Sequence, residues 1–181
     1  MVFMKENRED QQLIEQILKG VSGAFGILYE RYEHPIFQLM YRLCGNYEVA
    51  ADLTQEAFIK MYNNLAKYAP EYKFFSWFYR LALNHALNCI KKEKPSAVMA
   101  EEIHDETVAS PEQQFIATEQ QNQLLKIIHT LDEKYRLLIL LFYYQELSYT
   151  EIAAVLSVPA KRVKSRLFTA RKLLTEKLNR D

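Results

Sequence analysis

Hydrophobic residues recur at helical spacing along most of the chain and predict a series of amphipathic helices. The first is expected over residues 9–19, with Gly20 as its C-cap. Ser22 is expected to cap a second helix that continues past Pro35 with a break or kink and ends at Gly45. These early stripes of Leu, Ile, Tyr and Met are most simply core positions, and no cofactor motif accompanies them.

The next helix, from about residue 48 to residue 65, has two distinct sides. An apolar side is formed by Leu53, Ala57, Phe58, Met61, Tyr62 and Leu65. A mostly polar side is formed by Asp52, Gln55, Glu56, Ile59 and Asn63. Periodicity alone favours a solvated polar face. The apolar Ile59 in its middle argues mildly for a protein-docking face, although a single exposed apolar residue is common.

Aromatic residues are concentrated just before and within the following helix. The seven between residues 68 and 79 are Tyr68, Tyr72, Phe74, Phe75, Trp77, Phe78 and Tyr79. Phe74, Trp77 and Phe78 share one helical face with Leu81, which predicts a core role. The other four do not all fit that face, so burial in the core and stacking on single-stranded bases remain equally open for them. Stacking contributes about 1–3 kcal/mol per base.

Charge divides the second half of the chain. Residues 93–119 carry seven Asp and Glu against one Lys, and helical periodicity fails over residues 95–110, which predicts an acidic linker. Ser110 and Pro111 then resemble the start of a new helix. Residues 146–181 carry eight Lys and Arg against four Asp and Glu, so a basic surface is expected at this end.

The basic segment has the pattern of a helix-turn-helix. Ser148 and Glu151 form a capping box that opens a short helix, and Pro159 follows a tight break. The last helix has apolar residues on one face and Lys, Arg, Ser and Phe residues on the other. A surface helix with ordinary cations is the alternative, but the combination favours insertion of the basic N-terminal half into the major groove.

These patterns predict an all-α protein of two small helical domains, residues 1–94 and 111–181, joined by a flexible acidic linker over residues 95–110. Four glycines and five prolines in 181 residues favour long helices over strands. Cys44 and Cys89 match no metal-binding spacing, and no catalytic or metal-ligating constellation appears, so neither a metal nor another cofactor is expected. The absence of a signal-peptide core and of a long apolar run predicts a cytoplasmic protein without membrane insertion.

Several of these segments, in this order, resemble the extracytoplasmic-function (ECF) group of bacterial sigma-70 factors. The segment from Asp52 to Tyr62 is similar to the family's helix that binds core RNA polymerase. Residues 74–84, followed by Lys91 and Lys92, are similar to its segment that melts the promoter and reads the −10 element. Residues 147–153 and 163–167 are similar to the helix-turn-helix that reads the −35 element.

The resemblance implies three sets of site residues. Those for polymerase binding are Asp52, Gln55, Glu56, Ile59 and Lys60. Those for −10 DNA are Tyr68, Tyr72, Lys73, Phe75, Tyr79, Arg80, Asn84 and Lys91. Those for −35 DNA are Lys161, Arg162, Lys164, Ser165, Arg166 and Arg171.

The implied function is that of a non-enzymatic alternative sigma factor. Its implied partners are core RNA polymerase, promoter DNA and an anti-sigma factor, although nothing in the sequence identifies the anti-sigma factor. The main alternative is a helix-turn-helix activator or repressor whose N-terminal domain binds an effector or dimerises. Such a regulator would bind promoters tightly without polymerase. An enzyme with a DNA-binding tail has little support, because the four histidines are scattered.

Overall fold

The computed structural model describes the backbone of residues 3–92 and 119–179 and the side chains of residues 7–92 and 123–179. Within these ranges every element of regular secondary structure is helical, which confirms the predicted fold class. The first part contains α1 (Phe3–Leu18), α2 (Ala24–Cys44), α3 (Tyr47–Asn64), a 3-10 turn (Leu65–Lys67) and α4 (Phe74–Lys92). The second part contains α5 (Glu119–His129), α6 (Glu133–Ile139), a π-helical turn (Leu140–Tyr144), α7 (Tyr149–Leu156) and α8 (Ala160–Leu178). The expected linker and the expected N-cap Ser110 lie outside the described residues.

The ends of α2 depend on glycines that take up left-handed backbone conformations. Gly23, with a φ of 87°, is the N-cap, so the expected cap at Ser22 is wrong by one residue. Gly45, with a φ of 74°, ends the helix as predicted, and its N–H donates to the carbonyl of Tyr41. The helix runs through Pro35 without a break.

Helices α1 to α4 pack around an aromatic core. The ring of Tyr32 lies 5.4 Å from that of Phe74 and 5.8 Å from that of Phe78, in edge-to-face arrangements. The hydroxyl of Tyr32 donates to the buried carboxylate of Asp10 at 2.6 Å, and Arg31 donates to the same carboxylate at 2.6 Å. The buried charge is therefore fully partnered, as burial in an apolar region requires.

Helices α7 and α8 form the predicted helix-turn-helix. Ser148 accepts from the N–H of Glu151, and the Glu151 carboxylate accepts from the N–H of Ser148 at 3.0 Å, so the capping box is confirmed. Ser157 ends α7 in a left-handed conformation, and Pro159 is the N-cap of α8. Asp132 is the N-cap of α6, but its side chain makes no capping hydrogen bond.

The two parts of the chain pack against each other, and their buried residues form one continuous cluster. Helix α4 lies against α7, and α2 lies against the π-helical turn. Gln145, which directly follows this turn, is a buried polar residue that bonds to both α2 and α4. Its amide oxygen accepts from the hydroxyl of Tyr79 at 2.9 Å, and its amide nitrogen donates to the carbonyl of Pro35 at 3.3 Å.

Candidate protein and nucleic-acid interfaces

The polar side of α3 is exposed along its whole length. All of the residues expected to bind polymerase lie on it: Asp52, Gln55, Glu56, Ile59 and Lys60. Leu53, Ala57 and Met61 are buried on the opposite side, which confirms the predicted division of the helix. Tyr62 is an exception, because it was expected in the core and is 55% exposed.

An apolar groove adjoins this exposed side of α3. It has a volume of about 430 Å³ between α2 and α3 and is lined by Phe25, Tyr29, Gln55, Phe58, Ile59, Tyr62 and Asn63. Ile59 is 54% exposed at its edge. Apolar patches rimmed by polar residues are typical of protein-binding surfaces. The sequence pattern singles out Ile59 as an apolar residue on a polar face. It does not indicate the groove, because Tyr62, which lines the groove, has the spacing of a core residue.

The residues expected to contact −10 DNA are distributed over different environments. Tyr72, Asn84 and Lys91 are exposed, and Lys73 and Arg80 are half-buried. Tyr68, Phe75 and Tyr79 are buried. The Tyr68 ring lies 5.5 Å from the rings of both Phe74 and Trp77, and its burial raises the pKa of its hydroxyl. Tyr68 therefore belongs to the core of the first part, whereas Tyr79, whose ring centre lies 5.2 Å from that of Phe75, is on another side of α4.

The second part of the chain covers this other side of α4. Tyr79 is bonded to Gln145, and the guanidinium of Arg80 donates to the carbonyl of Ala154 in α7. The ammonium of Lys73 lies 3.7 Å from the carboxylate of Glu151. Burial alone would raise the pKa of Glu151, but hydrogen bonds from Ser148 and the charge of Lys73 outweigh it and lower the pKa.

A cavity of about 580 Å³ lies where the connector before α4 meets α7. Tyr72, Lys73, Trp77 and Arg80 line one side of it. Thr150, Glu151 and Ala154, all in α7, line the other side. The cavity thus combines aromatic rings and cations, the groups that hold single-stranded DNA, but α7 forms one of its walls.

The N-terminal half of α8 presents a basic face to solvent. Lys161, Arg162, Lys164 and Ser165 are exposed, and Arg166 is half-buried. Phe168 is 70% exposed on the same helix. Val163, Leu167 and Ala170 are buried on the opposite side and attach α8 to its neighbours. The contacts that cover α4 are made by Gln145 and α7, so they leave this basic face open.

Arg171 is placed differently from the other cations of α8. Its guanidinium carbon lies 5.2 Å from the ring centre of Phe142 and 5.7 Å from that of Tyr143. Burial lowers its pKa, but hydrogen bonds with Tyr149 and Tyr143 outweigh this effect and raise it. Arg171 therefore links α8 to the aromatic turn before α7.

Glu56, His85 and Cys89 come together on the surface between α3 and α4. The Nε2 of His85 is hydrogen-bonded to the Oε2 of Glu56, and the sulfur of Cys89 lies 3.7 Å from the Nδ1 of His85. One ligand-capable atom from each residue lies within 4.8 Å of those from the other two. Sequence reasoning treated these residues separately, because 29 positions separate Glu56 from His85.

Two family models match the chain, one over each of the two parts that carry these surfaces. The model described as Sigma-70 region 2 matches residues 28–95, and that described as Sigma-70, region 4 matches residues 121–174. The ECF RNA polymerase sigma factor SigW of Bacillus subtilis is 35% identical, over 91% of this chain and 94% of SigW. The chain belongs to the extracytoplasmic-function sigma factors. It functions as an alternative sigma factor, and these comparisons do not favour the activator or repressor alternative.

Further comparisons agree with this assignment. The ECF RNA polymerase sigma-E factor of Escherichia coli (strain K12) is 34% identical to this sigma factor, over 97% of each chain. The structure of CnrH, solved in complex with the cytosolic domain of CnrY, has the same fold, with a TM-score of 0.74 at 23% identity over 95% of this chain and 98% of CnrH. None of the helices in the part of the chain that the structure describes is long and apolar enough to cross a membrane.

Proposed function

We propose that this sigma factor binds core RNA polymerase through the exposed side of α3 and directs initiation at promoters through α4 and α8. It acts as a non-enzymatic specificity subunit in the cytoplasm, with residues 1–94 as the polymerase-binding and −10 domain and residues 111–181 as the −35 domain. One observation carries the proposal: sigma-70 regions 2 and 4 match the chain in that order. The first match contains the exposed side of α3, and the second contains the basic face of α8.

Exposure and composition of α3 support the polymerase contact. Asp52, Glu56 and Lys60 are charged groups spaced one helical turn apart, and all are exposed. Ile59 and the apolar groove beside it supply area that a partner would remove from water. A polar rim around an apolar centre is the usual anatomy of a protein interface.

The cavity beside Tyr72 supports the −10 contact. Rings and cations from the connector and α4 meet there, and Asn84 and Lys91 extend the exposed surface along the same helix. Unstacking a base costs a few kcal/mol, so the pocket that receives it must supply a comparable free energy. Phe75 and Tyr79 are both buried, and Tyr79 is bonded to Gln145, so both would reach DNA only after the packing around α4 opens.

The exposed cations of α8 support the −35 contact. Lys161, Arg162 and Lys164 lie in its first turns, where a recognition helix meets the major groove. Arg166 and Ser165 extend the same surface, and Arg171 contributes by fixing the helix on Phe142 and Tyr143.

CnrH was solved bound to CnrY, and the structure of RpoE from Bartonella quintana was solved with the anti-sigma factor NepR. We therefore include an anti-sigma factor among the proposed partners.

Footprinting on host promoter fragments tests the proposal against that of a simple DNA-binding regulator. With core polymerase, the sigma factor should protect both the −35 and −10 elements and make −10 bases reactive to single-strand probes. Without polymerase, protection and reactivity at −10 should be absent, since α7 covers part of the α4 surface. Full protection by the chain alone, unchanged on addition of polymerase, would favour a regulator instead.

A further inference from the structure

The donor atoms of Glu56, His85 and Cys89 are of the types that bind zinc. His85 and Cys89 are four residues apart on α4, so one turn of helix brings both side chains to the same side. Glu56 reaches them from α3. Carboxylate oxygen, imidazole nitrogen and thiolate sulfur are all ligands of Zn²⁺, and a mixed set of this kind favours zinc over calcium or magnesium.

The distances are close to those that a shared ion needs. Ligand bonds of 2.0–2.3 Å in a tetrahedron place two ligand atoms about 3.3–3.8 Å apart. The sulfur of Cys89 lies 3.7 Å from Nδ1 and 3.8 Å from Nε2 of His85. The Glu56 carboxylate lies closer to His85 than a shared ion requires, but its side chain is 53% exposed and can move outward.

We propose that Glu56, His85 and Cys89 form a binding site for Zn²⁺, and that zinc at this site weakens the binding of core polymerase. Three protein ligands leave a fourth position for water, and the carboxylate and thiolate together neutralise the charge of the ion. The second half of the proposal rests on the proposed function, because Glu56 lies on the α3 face that docks on polymerase. Zinc would hold Glu56 against α4 and place a metal-bound water at that face.

The burial of the ligands and the presence of a second cysteine outside the site allow a controlled test. The His85 side chain is 13% exposed, so it is held in place by α3 and α4. Cys89 is half-buried, whereas the other cysteine, Cys44, donates from its sulfur to the carbonyl of Asn46 at the end of α2. Cys44→Ser is therefore a matched control that removes a thiol of similar burial from outside the site.

The test of the site uses the full-length, tag-free protein with its cysteines reduced, and Co²⁺ as a spectroscopic probe. The wild type and Cys44→Ser should bind one equivalent with thiolate-to-cobalt absorption, and Zn²⁺ should displace it. Cys89→Ser should lose the thiolate absorption, and Glu56→Gln should weaken zinc binding by at least about tenfold, since even the loss of a residue that only orients a ligand costs about 10–100-fold in metal affinity. Absence of thiolate absorption in the wild type, or its persistence in Cys89→Ser, would overturn the site. Circular dichroism checks that each variant is folded.

The test of its effect measures polymerase affinity with and without one equivalent of Zn²⁺. Zinc should weaken binding of the wild type at least about fivefold, or roughly 1 kcal/mol, and should leave Cys89→Ser unchanged. An equal zinc effect on both proteins, or none on either, would overturn the inhibitory role. Failure of the metal-free wild type to bind polymerase would instead contradict the docking proposal, and the cobalt titration would still decide the metal site.

Discussion

The hydroxyl of Tyr79 donates a hydrogen bond to the amide oxygen of Gln145 at 2.9 Å, and this bond joins the two parts of the sigma factor. Tyr79 belongs to the helix that we propose reads −10 DNA, and Gln145 lies shortly before Ser148, the N-cap of the helix-turn-helix that we propose reads −35 DNA. Both side chains are buried, so the bond forms only while the two parts are packed together. In this arrangement the polar side of α3 and the basic face of α8 are exposed, and one side of α4 is covered.

Replacement of Gln145 by Leu should loosen this packing. It would remove the hydrogen bonds that Gln145 makes to the hydroxyl of Tyr79 and the carbonyl of Pro35, each of which contributes about 0.5–1.5 kcal/mol net. We expect a larger radius of gyration in small-angle X-ray scattering, with unchanged helix content. Gln12→Leu, at an exposed position of α1, is the control. Identical scattering from Gln145→Leu and the wild type would show that this bond does not hold the parts together.

Ile59→Ala should weaken the complex with core polymerase without destabilising the fold. Ile59 is 54% exposed, so its truncation removes little buried area in the isolated chain, and changes at such positions usually alter stability by no more than about 0.5 kcal/mol. A docking role predicts at least about a tenfold loss of affinity, or 1.4 kcal/mol, in a binding titration.

Leu18→Ala provides the comparison for Ile59→Ala, since Leu18 is 55% exposed at the end of α1 and outside the proposed interface. We expect this variant to bind polymerase as the wild type does. Equal polymerase affinities for Ile59→Ala and Leu18→Ala would show that Ile59 is not part of the docking surface. The polar side of α3 would then be an ordinary solvent-exposed face.

Lys164 and Arg171 should respond differently to replacement by Ala, although both are cations of α8. Lys164 is exposed, so its loss should reduce the slope of log affinity against log salt by about 1 for −35 duplex DNA. Arg171 packs over Phe142 and Tyr143, so its loss should chiefly lower the melting temperature. Fluorescence anisotropy at several salt concentrations and thermal unfolding separate the two effects. A reduced salt slope with an unchanged melting temperature for Arg171→Ala would instead assign Arg171 to phosphate contact.

Glu151→Gln tests the electrostatic part of the capping box. The pKa of Glu151 is lower in the folded chain than in the unfolded chain. The carboxylate therefore contributes stability above its unfolded pKa, and this contribution is lost as the pH falls through its folded pKa. Gln can keep both hydrogen bonds of the capping box and loses only the charge, so the variant should be about 0.3–1 kcal/mol less stable near pH 7. This difference should shrink on acidification, as measured by denaturant unfolding at a series of pH values. A difference that stays constant with pH would attribute the effect to packing.

The sequence predicts local features of this protein well because they depend on neighbouring residues. The capping box of Ser148 and Glu151, the C-cap at Gly45 and the exposed side of α3 all follow from spacing alone. The sequence does not predict which other part of the chain packs on a given face of a helix. Tyr79 lies off the stripe of α4 that faces the first core, yet it is buried and bonded to Gln145 of the second part of the chain.

The same reason explains what the sequence missed at the candidate sites. Arg171 has the spacing of a DNA-contacting cation, and only the positions of Phe142 and Tyr143 show its packing role. The four histidines are scattered along the sequence, but the packing of α3 on α4 brings one of them, His85, into contact with Glu56. Such pairings depend on tertiary contacts, which periodicity does not encode.

Run-off transcription with purified core polymerase on genomic promoter fragments of the host tests the central claim most directly. Discrete transcripts that appear only when this sigma factor is added, and that share upstream −35 and −10 elements, are the predicted result. Promoter binding by the chain alone, with no transcript from any fragment after polymerase is added, would contradict the account.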